Sequence, residues 1–144
     1  MSKLISSNIT INCQSPTFRY SPSRDGPISQ GWNLTYSGSD DSKWSQNIEG
    51  LGLAYHRTNL SGAYFEFDWT GTAIYVYGNA SQNASYQTTV DGTTVQANAN
   101  LNDSLLASVK ELTYGPHTLR VTTENAQLFA VRGAVLTVGM GVQG

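Results

Sequence analysis

Two carboxylates, Glu66 and Asp68, stand two residues apart inside the run Ala63 to Gly92, AYFEFDWTGTAIYVYGNASQNASYQTTVDG. On a strand that spacing puts both carboxyl groups on one face at roughly 6–7 Å, near the separation that glycosidases use. An acid/base pair also needs one raised pKa in a cleft. Glu66 and Asp68 instead alternate with apolar residues on what reads as an open face. Cys13 is the sole cysteine, and its flanks, Ile9, Ile11 and the strand-like run to Phe18, mark it as a buried, inert thiol. As a nucleophile it would need a partnered histidine in an electropositive setting, and nothing local offers one. His117 follows a Gly-Pro pair and reads as a hydrogen-bonded turn residue; His56 is the other histidine. No Gly-x-Ser-x-Gly elbow, metal-spaced histidine pair or phosphate loop occurs. The chain is expected not to be an enzyme.

Recognition is the better expectation. A pyranose is held by an aromatic face against its C–H groups and by planar amide, guanidinium or carboxylate groups on adjacent hydroxyls. The chain has three Trp and eight Tyr, more aromatics with polar handles than a core obviously needs. Trp32 shares a face with Leu34 and Tyr36, and Trp69 with Phe65 and Phe67, so both are expected in the core. Trp44 lies among Ser42, Lys43, Ser45 and Gln46 in a loop, where it either contacts ligand or lids the end of the molecule. Tyr64, Tyr75 and Tyr77 fall opposite the inward set; the plainer reading is an amphipathic solvent face, the sharper one a stacking platform. Tyr55, His56 and Arg57 precede a loop with Asn59, and a structural role is the plainer reading there too. The candidate contacts are Trp44, Tyr55, His56, Arg57, Tyr77, Asn79 and Arg132.

The elements that must position these residues are strands. Phe65, Phe67 and Trp69 alternate with polar neighbours at the period of a half-buried strand. Thr70-Gly71 reads as a break, and Ile74 and Val76 resume the alternation. Tyr86 to Val90 gives a third strand, closed by the hairpin dipeptide Asp91-Gly92. Further strands are expected at Ile9–Cys13, Phe18–Tyr20, Trp32–Tyr36, Leu53–Thr58, Thr93–Ala97, His117–Thr123 and Gln127–Val138, the last with a bulge at Gly133. Leu105 to Leu112 fits a helix face or a strand face and is too short for an isolated helix, so a strand is favoured. Tyr114-Gly115-Pro116 reads as a turn.

At 144 residues and 15.6 kDa the chain fits a single domain, residues 1–144, with a real core. Only 12% of residues are charged and the net charge is −2, with no basic cluster to neutralise phosphates, so nucleic acid is not an expected partner. No apolar run approaches the roughly 20 residues of a membrane span. The start lacks the apolar core of a signal peptide. Sequons at Asn8, Asn33, Asn59, Asn79, Asn83 and Asn102 nevertheless favour an extracellular protein over the cytoplasmic alternative. Asp40-Asp41 and Asp25-Gly26 are the only clustered calcium-ligand candidates; neither has a recognised spacing, so no cofactor is expected, with a structural calcium as the alternative.

Many short strands with frequent turn signals imply an all-β, antiparallel β-sandwich jelly roll. The motif order resembles a galactose-binding-domain-like jelly roll, of the kind found in fungal ectodomain proteins and in modules of carbohydrate-active enzymes. The resemblance rests on Phe65 to Gly78, Tyr86 to Gly92, Leu112 to Val121 and the closing run Leu128 to Val138, a little over half the chain. It departs at Arg132, near which the pattern usually carries an acidic residue. It implies carbohydrate recognition. The expected function is a non-catalytic carbohydrate-binding module or lectin for a glycan or cell-wall polysaccharide. The alternative is a structural or protein-interaction ectodomain, self-associating into a homo-oligomer.

Overall fold

The alternation of Phe65, Phe67 and Trp69 with polar residues does form a strand, and a longer one than its turn signals imply. The computed structural model describes residues 3–36, 54–81, 83–95, 98–100, 104–125 and 127–143. Within them lie eleven strands and no helix. The strands are β1 (Lys3–Asn12), β2 (Arg19–Ser21), β3 (Asn33–Tyr36), β4 (Ala54–Thr58), β5 (Tyr64–Ala80) and β6 (Tyr86–Val90). They continue with β7 (Thr93–Val95), β8 (Asn98–Asn100), β9 (Leu105–Val109), β10 (Gly115–Thr123) and β11 (Phe129–Gln143). Every pairing is antiparallel, and the architecture is a β-sandwich.

The 17 residues of β5 serve both layers. Its first half carries β10 on one edge, with Phe67 opposite Leu119, and β2 on the other, with Phe65 opposite Tyr20. Its second half lies between β11 and β9. The expected break at Thr70-Gly71 is a bulge instead: Gly71 pairs with Val138 and Ala73 with Thr137, leaving Thr72 extra. The inward set accordingly shifts from Phe65, Phe67 and Trp69 to Ile74 and Val76. Gly71 is there for close approach rather than for a turn, since a Cβ on it would run into the Thr137 carbonyl oxygen. The bulge lets one strand leave the first layer and enter the second without exposing its apolar side.

The layers close over one core. Trp32 is fully buried; its indole N–H donates to the Ser21 and Tyr64 carbonyls, both at 3.1 Å, and its ring meets Phe65 and Phe129 edge-on. Phe18 packs 4.8 Å from Phe67, ring centre to ring centre, and Cys13 is buried in the same cluster. Trp69 is buried as expected. Asp91 and Gly92 take positive φ, 54° and 81°, as a two-residue hairpin loop requires. Residues 105–109 form the favoured strand, whereas the expected turn at Tyr114-Gly115-Pro116 gives way early: β10 already begins at Gly115, opposite Gly71.

Candidate functional site

Strand β11 changes partners on one edge, and the change makes a cleft. Over Phe129–Val131 it pairs with β4; from Gly133 onward it pairs with β1. Arg132 sits at the changeover as the extra residue of a bulge, because Val131 pairs with Gly78 and Gly133 with Tyr77. The Cys13 N–H donates to the Arg132 carbonyl at 2.9 Å and fixes that bulge. The register then sets Asn12, Gly133 and Tyr77 in one row, and Thr10, Val135 and Tyr75 in the next. Gly133 has no side chain to stand between Asn12 and Tyr77. A Cβ on it would strike the Ile11 carbonyl oxygen, so the close approach of β1 demands glycine and leaves a floor. The resulting cleft holds about 380 Å³ and is lined by Thr10, Ile11, Asn12, Tyr77, Arg132 and the Gly133–Val135 segment. Arg132 places its guanidinium carbon 5.6 Å from the Tyr77 ring centre, within cation–π range.

Tyr77 and Arg132, picked from separate motifs, are therefore neighbours. Asn79 is exposed two residues further along the same side of β5 and borders a shallower hollow with Leu128 and Ala130. Arg57 pairs with Ala130, which pairs with Asn79, so Arg57 belongs to that outer face as well. Tyr55 and Arg57 are half-buried, alternating with buried Ala54, His56 and Thr58. His56 points the other way, into the core, at 1% exposure. Trp44 and Asp40-Asp41 lie outside the described residues. Asn12 and Thr10 were missed by sequence reasoning: their polar alternation with Ile9 and Ile11 is visible, but which strand they would flank is not.

His56 is a partner for Cys13 after all. Its Nδ1 lies 3.2 Å from the Cys13 sulfur, its ring stacks on Tyr20 at 4.3 Å, and its Nε2 is 3.5 Å from Asp25. Burial pushes the thiol up to about 11 and, with the nearby Arg24 charge, the imidazole down to about 4. At neutral pH both groups are uncharged, and the pair is a core contact rather than a thiolate nucleophile. Glu66 and Asp68 are also engaged. Arg120 pairs with Glu66 at 2.9 Å while its guanidinium lies 4.0 Å over Tyr64, and Arg19 bridges Glu66 and Asp68. The Thr118 hydroxyl donates to Asp68 at 2.7 Å and, with Arg19, holds that carboxyl below its usual range. His117 bonds Asp91 at 2.7 Å and the Thr113 carbonyl at 2.8 Å, which raises its pKa and locks the hairpin onto β10. Among the described residues no group of His, Cys, Asp and Glu is arranged to hold a metal. No described helix is long and apolar enough to cross a membrane.

Neither a protein-family model nor a curated protein sequence matches the chain. Solved structures do. A family two carbohydrate esterase from Cellvibrio japonicus superposes with a TM-score of 0.58 at 14% identity, over 96% of this chain and 36% of the esterase. The salicylyl-acyltransferase SsfX3 from a tetracycline biosynthetic pathway superposes with a TM-score of 0.56 at 14% identity, over 94% of this chain and 40% of that one. A family 35 carbohydrate binding module from an environmental isolate gives 0.37 at 14% identity, over 83% of this chain and 93% of its own, too low to define a shared fold. The first two establish likeness of fold. The chain spans 36% of the esterase and 40% of the acyltransferase.

Proposed function

We propose that the chain is a non-catalytic, extracellular glycan-binding β-sandwich, with the Tyr77–Arg132 cleft as its site. The observation that carries this is the cleft itself: an aromatic ring, a guanidinium and the Asn12 amide around a glycine floor. Those are the stacking and planar hydrogen-bonding groups that a sugar ring requires. Tyr77 comes from β5 and Asn12 from β1, and the register fixes both, so the site is built on strands rather than on loops. The same fold within a carbohydrate esterase supports the reading, as one portion of a larger protein. Asn79 and Asn83 are exposed sequons, in keeping with an extracellular setting. Catalysis is not proposed, because Asp68 is held ionised by Thr118 and Arg19 and the Cys13 thiol is held protonated.

A glycan array probed with the wild type and with Tyr77→Ala tests the proposal. Binding of one sugar class, weakened at least about tenfold by the substitution as expected for a lost stacking contact of ~1.4 kcal/mol or more, supports it. A blank array with folded protein overturns it in favour of a structural or protein-binding role.

A further inference from the structure

Among the described residues, the charges are unevenly partnered. On the first-layer face, Glu66 and Asp68 are matched by Arg19 and Arg120. On the second-layer face, the described parts of β1, β3, β4, β9, β11 and the second half of β5 contain no Asp or Glu. Arg57 and Arg132 nevertheless both sit there, and neither makes an ion pair among the described residues. The Arg132 guanidinium lies beside the Tyr77 ring. Among the described residues, no carboxylate lines its cleft. The Asn12 side chain repeats the polarity, since its oxygen already accepts the Gln14 N–H at 2.9 Å, leaving the NH₂. The Thr10 and Tyr77 hydroxyls can donate or accept, so what sets the cleft's polarity is the one fixed positive charge of Arg132, with the Asn12 NH₂, beside an apolar wall. A neutral sugar can hydrogen-bond to these groups but leaves the Arg132 charge without a counter-charge. A planar carboxylate fits a guanidinium fork with two parallel hydrogen bonds.

Resting on the glycan-binding reading, we infer that the cleft takes a uronic acid residue of an acidic polysaccharide. The sugar's C–H face lies on Tyr77, and its carboxylate is held by Arg132 with the Asn12 amide beside it. Arg57, further along the same face, adds a second positive charge toward the neighbouring residue of an extended chain.

The test is calorimetric titration of the protein with tetragalacturonate, its fully methyl-esterified form, and a neutral galactotetraose. We expect the acid form to bind at least tenfold more tightly than the other two and to weaken as salt is raised. We expect Arg132→Gln to lose that preference, with Arg132→Lys retaining part of it and both variants melting near the wild-type temperature. Equal binding of the acid, ester and neutral forms, abolished by Tyr77→Ala, would overturn the uronate inference and leave the glycan-binding site standing. Failure of all three, together with a blank array, would remove both.

Discussion

The two histidines carry opposite proton linkages, because one is sealed in the core and the other is held between acceptors. His56 is neutral against the Cys13 sulfur, with its pKa lowered by burial and Arg24 to about 4 from an ordinary 6.5. The unfolded chain therefore binds a proton that the folded chain refuses between those values. Stability from this site is complete above about pH 6.5 and declines as pH falls toward 4, by on the order of 3 kcal/mol in all. His117 is the reverse: Asp91 and the Thr113 carbonyl favour its charged form and raise its pKa. Its contribution is complete below about pH 6.5 and is lost as pH rises through the folded value. Ring-proton NMR across pH should show His117 titrating above the free-histidine range and His56 still neutral at pH 5. A single shared midpoint near 6.5 would contradict both environments.

Among the elements, β5 and β11 do the organising, and each does it at a bulge. Gly71 and Gly133 lie where neighbouring backbone comes too close for a Cβ, against the Thr137 and Ile11 carbonyls. Gly115 has open space around its missing Cβ. Gly71→Ala and Gly133→Ala should each cost about 1–3 kcal/mol by overpacking, while Gly115→Ala stays within about 0.5 kcal/mol as an open-surface change. Urea denaturation of the three variants decides it, and equal midpoints for all three would mean that the bulges yield freely. Gly133→Ala also raises the floor of the cleft, so a stable form of it should bind glycan less well than Gly71→Ala does.

At the scale of the whole molecule, both layers share one apolar core through Trp32, which touches Tyr20, Phe65 and Phe129 and satisfies carbonyls of β2 and β5. Truncating it opens a cavity and strands two carbonyl acceptors. Trp32→Ala should lose about 3–5 kcal/mol, a large share of the 5–15 kcal/mol that a domain has. Thermal unfolding followed by near- and far-ultraviolet dichroism should then show one early transition common to both signals. Loss of tertiary signal alone, with strand signal intact, would mean that the layers stand independently.

Local alternation was enough to determine most of the strands, though not β8 or the unbroken length of β5, because the side-chain period of two and the Asp91-Gly92 turn chemistry are properties of neighbouring residues. It also settled the burial of Trp32 and Trp69, and it marked Tyr77 and Arg132 without showing that they meet. Thr70-Gly71 misled because a glycine chosen for close approach looks, in one dimension, like a glycine chosen for a turn. His56 misled because a histidine facing inward is spaced no differently from one facing water. The Cys13–His56 contact, 43 residues apart in sequence, and the cleft between β1 and β5 depend on which strands pair and in what register. Those choices are made by the packing of the whole core around Trp32 and Phe65, so only the tertiary structure could decide them.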